Sequence, residues 1–160
     1  MNRFILSRSS YIRVLIALLL FVGGCAAGPD LHRSRLENLP QHYAQFDLEL
    51  AWQIKDMGAQ TVIDGELKNA RYAFMDNIEV WVATLDPSGK PAARSVSYIV
   101  PHELLRDELA SFTVKLPVKA EPGAKLRFTY RYVGSDGGGR NMGGAAENWM
   151  QSFDTMVPSR

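Results

Sequence analysis

Between Phe46 and Lys55 the chain changes character at every residue: Phe46, Leu48, Leu50, Trp52 and Ile54 alternate with Asp47, Glu49, Ala51, Gln53 and Lys55. A period of two gathers those apolar side chains on one face of a strand, whereas the ~3.6-residue turn of a helix would scatter them. The segment is expected to be a strand with one wet side. The same pattern returns in ASFTVKLP, through Phe112, Val114 and Leu116, and in KLRFTYRYV, where Leu126, Phe128, Tyr130 and Tyr132 alternate with Lys125, Arg127, Thr129 and Arg131.

The segments between them read as further strands and their turns. DNIEVWVATLD is apolar on both faces, with Ile78, Val80 and Val82 on one and Trp81, Ala83 and Leu85 on the other, which predicts a strand covered on both sides. In QTVIDGELKNA an isolated Gly65 predicts a bulge or a close backbone approach. Asp86-Pro87-Ser88-Gly89 has the proline and glycine positions of a type I turn, and ARSVSYIV gives the returning strand. PHELLRDEL, opened by Pro101, is expected to make one or two helical turns crossing between sheets. ENWMQSFDTMVP predicts a last strand with Trp149, Gln151, Phe153 and Thr155 on one face, a short helix being the other reading. Strands recurring every ~10–17 residues without long helices between them predict an all-β chain, an antiparallel immunoglobulin-like sandwich of about seven strands.

One cysteine occurs in 160 residues. It closes LLLFVGGC, behind an apolar run from Val14 to Val22 that Arg3, Arg8 and Arg13 precede. The run is too short for the ~20 residues that cross a bilayer as a helix, and has the charge and length of a signal-peptide core. Val22-Gly23-Gly24-Cys25 resembles the lipobox of bacterial lipoproteins. The resemblance implies diacylglycerol on the Cys25 sulfur, cleavage before it, and acylation of the new amine with a fatty acid such as palmitate. Several acyl chains anchor stably where one is marginal. Ala26 takes the place where Asp would resemble an inner-membrane retention signal, so the expected site is the outer membrane, facing the periplasm. With the only thiol acylated, neither a disulfide nor a thiolate site is available.

Residues 1–24 are thus expected to be a leader, 25–41 a lipid-anchored tether with at most a short helical turn around LHRSRLENL, and 42–160 the sandwich domain. As a flexible coil the tether would reach roughly 20–25 Å. Residues 134–146 form a Gly-rich loop; 134–146 hold six of the chain's 13 glycines and are expected to be mobile.

Residues 61–132 resemble the FxLYD-type domain, an immunoglobulin-like module of bacterial envelope proteins. DGELKNA matches its G-x-x-x-N stretch, IEVWVATLDPSGK its strand and turn, and LASFTVKLP its later F-x-V strand. Val82, Thr84 and Leu85 stand where the motif has Phe, Leu and Tyr, and Asp86 is retained. The resemblance implies a non-catalytic module.

Chemistry is sparse in what remains. The charge of +1 becomes −2 once the leader and its three arginines are removed, which is no footprint for nucleic acid. His32, His42 and His102 lack metal-ligand spacing. Glu103 and Asp107 would share a face only on a helix. The loop around Arg140 lacks the order of a phosphate loop. Lys125, Arg127 and Arg131 project from one strand face, spaced ~6.6–7 Å at two-residue steps, and could meet an anion unless cross-strand acids such as Glu49 or Asp47 neutralise them. No catalytic residue, cofactor or metal is expected. The expected function is a protein interaction or assembly module with an envelope protein as partner; the alternative is an anion or lipid-headgroup carrier using Lys125, Arg127, Arg131 and Arg140.

Overall fold

The computed structural model of the chain describes residues 30–137 and 146–159; the leader, Cys25 and residues 138–145 of the expected Gly-rich loop, Arg140 among them, lie outside the described residues, while Gly134 and Ser135, expected to open that loop, end a strand instead. A compact unit starts at Leu31 and runs through one helix, α1 (Leu31–Asn38), and nine strands: β1 (Gln41–Ala44), β2 (Leu48–Asp56), β3 (Thr61–Asn69), β4 (Phe74–Leu85), β5 (Pro91–Tyr98), β6 (Glu103–Leu105), β7 (Leu109–Leu116), β8 (Lys125–Ser135) and β9 (Glu147–Met156). Two antiparallel sheets result, in the orders β1-β2-β3-β7 and β5-β4-β8-β9, with β6 also on β4. β2-β3-β7 facing β4-β8-β9 follows the A-B-E and C-F-G order of the immunoglobulin fold, with β5 beside β4 as in its variable form. The chain is an immunoglobulin-like β-sandwich.

The alternating segments supply the interior. Leu48, Leu50, Trp52, Phe112, Val114, Leu116, Leu126, Phe128, Tyr130 and Tyr132 are all buried in one cluster. The Trp52 ring meets Phe128 at 4.7 Å between centroids, and Phe128 stacks on Phe153 at 5.1 Å, so the two sheets interlock through aromatics.

Gly65 resolves to a close approach. The β2–β3 register runs through Trp52↔Gly65 without a break, and Gly65 faces Phe112 on β7. A β-carbon there would lie 2.6 Å from the Phe112 ring, so only glycine lets that ring lie flat on the strand. The Asp86 turn forms as expected: Gly89 N–H donates to the Asp86 carbonyl at 2.9 Å, and the Asp86 carboxylate accepts from the Ser88 and Lys90 amides at 2.8 and 3.0 Å.

Four expectations are corrected. Residues 31–44, read as tether and domain entry, hold α1 and β1, with Leu36 and Leu39 buried over Ala51; the wet side of β2 is therefore covered in part by α1. The alternation begins only at Leu48: Phe46 is 56% exposed and Asp47 2%, because the turn from β1 lies between Ala44 and Leu48 and does not continue the pleat. PHELLRDEL forms no helix. Glu103–Leu105 pairs with β4, and Asp107 sits at φ 67° where Glu108 N–H turns back to the Leu105 carbonyl, so Glu103 and Asp107 share no helical face. Finally, β4 is covered fully on one side only: Ile78, Val80 and Val82 are buried, while on the other face Ala83 is buried but Trp81 and Leu85 stay half-exposed.

Candidate interaction surface

The outer faces of the two sheets differ. On the β1-β2-β3-β7 sheet, α1 lies across β2, β3 and β7 and is held by charge as well as by its two leucines. Glu66 on β3 is fully buried and takes Arg35 at 2.8 Å, His32 Nδ1 at 2.9 Å and the Ser111 hydroxyl at 2.8 Å. Arg35 reaches Asp64 as well, at 3.0 Å. A buried carboxylate needs donors of this kind to replace the water it loses.

Across the β5-β4-β8-β9 sheet no described element lies over the outer side. The register sets out its rows: Tyr98, Glu79, Arg131 and Met150; then Val96, Trp81, Thr129 and Ser152; then Arg94, Ala83, Arg127 and Asp154. Tyr98 is 63% exposed and Met150 70%. Two hollows, of about 340 and 240 Å³, open on either side of Arg131 and Met150, which line both. The Arg94 guanidinium lies 5.6 Å from the centroid of the Trp81 ring.

The sequence-predicted basic row is here, on β8, and cross-strand acids do neutralise most of it, though other acids than expected. Arg127 forms a two-pronged pair with Asp154 on β9, at 2.7 and 2.8 Å. Arg131 donates to Glu79 on β4 at 2.7 Å, and the Trp81 indole N–H donates to the same carboxylate at 2.7 Å. The Arg131 hydrogen bond, with help from Trp81 and against the pull of burial, holds Glu79 below the ordinary carboxylate range. Arg127 does the same for Asp154, with Lys125 adding its charge. The acids first expected are engaged elsewhere: Glu49 pairs with Lys68 at 3.1 Å, and Asp47 accepts from Tyr132.

The histidines do not converge. His32 joins Glu66 under α1, while His42 and His102 are exposed on β1 and in the β5–β6 connection. Among the described residues no three His, Cys, Asp or Glu side chains are grouped to hold a metal ion, and no helix is long and apolar enough to cross a membrane. A further hollow, of about 470 Å³, lies at one end of the sandwich between Gln53, Asp56, Lys119 and Val157; its facing charges Asp56 and Lys119 stand 3.8 Å apart.

Five buried polar residues among those described carry almost no mark of burial in the sequence. Asn69 donates to the Tyr72 and Leu104 carbonyls at 2.8 and 3.0 Å and accepts from the Arg71 and Tyr72 amides at 3.2 and 3.0 Å, so its amide is fully engaged. Asp47, Thr61, Glu66 and Glu79 are the other four. The one signal available was the Asn69 of the G-x-x-x-N stretch, an unusual residue at a strand end.

No protein-family model matches the chain, and no curated protein matches it. Among solved structures, the GAE domain of GGA2p from Saccharomyces cerevisiae is similar at 11% identity with a TM-score of 0.48, the match covering 75% of this chain and 97% of that one. The GAE domain of yeast GGA1 is similar at 9% identity and a TM-score of 0.43, covering 72% and 96%.

Proposed function

We propose that the protein is a non-catalytic lipoprotein of the bacterial envelope, anchored through Cys25, whose sandwich docks a protein partner. The observation that carries this reading is the asymmetry of the two sheets. One outer face lies beneath α1, and the other presents Trp81, Tyr98, Met150 and the arginines Arg94, Arg127 and Arg131. Aromatic residues, Met and Arg are the types enriched where proteins meet. The anchor rests on the order of the leader, the lipobox and the single cysteine; placement at the outer membrane rests on Ala26. The resemblance to FxLYD-type modules agrees with a non-catalytic role. Anion capture is the weaker reading, because Arg127 and Arg131 already hold carboxylates that an incoming anion would have to displace.

The test is photo-crosslinking in cells. A photoreactive residue in place of Trp81 or Tyr98 in the full-length protein is expected to trap a protein, and one in place of the exposed Lys115 on the other sheet to trap none. Labelled palmitate is expected on the wild type and absent from Cys25→Ala. Crosslinks to lipid alone from the Trp81 and Tyr98 positions would reject the docking role, and a wild type that takes up no palmitate would reject the anchor.

A further inference from the structure

We infer that the free edge of β9 receives an extended polypeptide segment by strand addition, the segment carrying inward-facing apolar residues and a basic residue opposite Asp154. This rests on the docking role proposed above and names its mode.

A sandwich of this topology has four edges, and three are closed to a long guest. β7 leans on β5, where Thr113 N–H donates to the Ser97 hydroxyl at 3.3 Å, so these two edges occupy one another. β1 is only four residues long. β9 runs for ten residues, pairs among the described residues with β8 alone, and contains neither lysine nor proline, the residues that usually guard an edge from pairing. Its unused backbone groups are a template for one more strand.

The flanks of that edge define the guest. On the inner side, Phe46 meets Trp149 at 5.8 Å and Tyr43 stacks on Phe153 at 3.6 Å. β1 and β9 are not paired, so these rings floor an open seam that apolar side chains of an added strand would cover. On the outer side, Asp154 spends one fork on Arg127, and a carboxylate has about four acceptor positions. Those on the edge side point to where an added strand would place a residue, and a base there is favoured over an acid. The only charges on β9 are Glu147 and Asp154. A second copy of β9 thus brings acids and no base, which favours a foreign segment over self-pairing.

The experiment uses detergent-solubilised full-length protein and a ten-residue peptide alternating valine with threonine, one central threonine replaced by lysine, against the same peptide with glutamate. The lysine peptide is expected to slow hydrogen exchange at alternate amides between Glu147 and Met156, those turned away from β8, while β1 and β5 amides stay unchanged. Affinity is expected to exceed that of the glutamate peptide by about threefold or more, and Asp154→Lys to reverse the order. Met150→Pro, at an exposed edge position that leaves the Arg127 pair intact, is expected to abolish binding by both peptides. Equal binding of the two peptides, protection elsewhere than β9, or no binding would overturn the inference. So would a dimer in light scattering that protects β9 without peptide. Crosslinks from Trp81 and Tyr98 persisting under any of these outcomes would leave the docking role standing while this mode fails.

Discussion

Tyr132 on β8 donates its hydroxyl to the carboxylate of Asp47, 85 residues earlier in the chain, and both are buried. The bond ties the β1–β2 turn to the opposite sheet. Asp47 belongs to that turn also through its backbone, where its carbonyl accepts the Ala70 amide at 2.9 Å. Burial, and then the neighbouring Asp47 carboxylate, push the Tyr132 hydroxyl well above the ordinary tyrosine range, so it stays protonated and able to donate.

Removing the donor alone is therefore more harmful than removing both partners. Tyr132→Phe keeps the ring but leaves a buried carboxylate short of its partner, and is expected to cost about 1–3 kcal/mol. In the double variant with Asp47→Ala the buried carboxylate is gone as well, so the combined loss should be smaller than the sum of the two single losses. Urea unfolding of the four proteins measures the coupling; additivity would mean that the bond contributes nothing.

Gly65→Ala tests the close approach of β3 to its neighbours. The added methyl meets the Phe112 ring at 2.6 Å and also the Ala51 carbonyl, and overpacking of this kind costs typically about 1–3 kcal/mol. Trimming the ring with Phe112→Leu relieves only one of the two clashes, so Gly65→Ala is expected to remain destabilising in that background. A neutral result in thermal melts of either pair would show that the strand can shift to make room.

The contrast between Gly65 and Asp47 shows which parts of the fold were legible in the sequence. Strands β7 and β8 announce themselves because alternation between core and solvent is a local property, and Gly65 was flagged because glycine in a strand demands a reason. Asp47 sits where the alternation of polar and apolar residues continues in sequence after the chain has left the pleat of β2, so its burial has no local sign. The helix α1 was faint because LHRSRLEN offers two leucines among charges, and its support comes from Glu66, 31 residues beyond Arg35 and buried. The alternation of β8 is enough to set its basic row on one face, but not to name the partners: which acid faces Arg131 depends on the β4–β8 register, and the bulge between Asp76 and Glu79 shifts it. Nothing in the sequence marked β9 as an open edge, since that follows from what the other strands cover.

Acid should weaken the β4–β8 contact in a defined window. The Arg131 hydrogen bond holds Glu79 below its ordinary value of 4.5, so the native state favours the charged form. A group with a depressed folded pKa contributes stability fully above its unfolded value, and that contribution fades as pH falls through the folded value. Glu79→Gln is accordingly expected to be less stable than wild type at neutral pH, with the gap closing below pH about 4. Urea midpoints across that range give the measurement; a gap that stays constant with pH would assign the loss to packing.

The three basic residues of β8 are not equivalent, and their reversal separates docking from anion capture. Arg131→Glu sets a carboxylate beside Glu79, which is 8% exposed, and leaves that carboxylate without its cation. Arg127→Glu repeats this against Asp154 at the surface, where water screens the repulsion. Lys125→Glu touches no short ion pair among the described residues. Stability is expected to fall in that order, with Lys125→Glu close to wild type. If Arg127 and Arg131 work mainly as cross-strand ties, the milder Arg127→Gln and Arg131→Gln variants should lose stability in thermal melts, while the little binding of anionic phosphatidylglycerol vesicles at physiological salt stays unchanged. Strong vesicle binding by wild type that weakens with salt, and that disappears in the still-folded Gln variants, would instead make the face an anion site and remove the ground for docking a protein there.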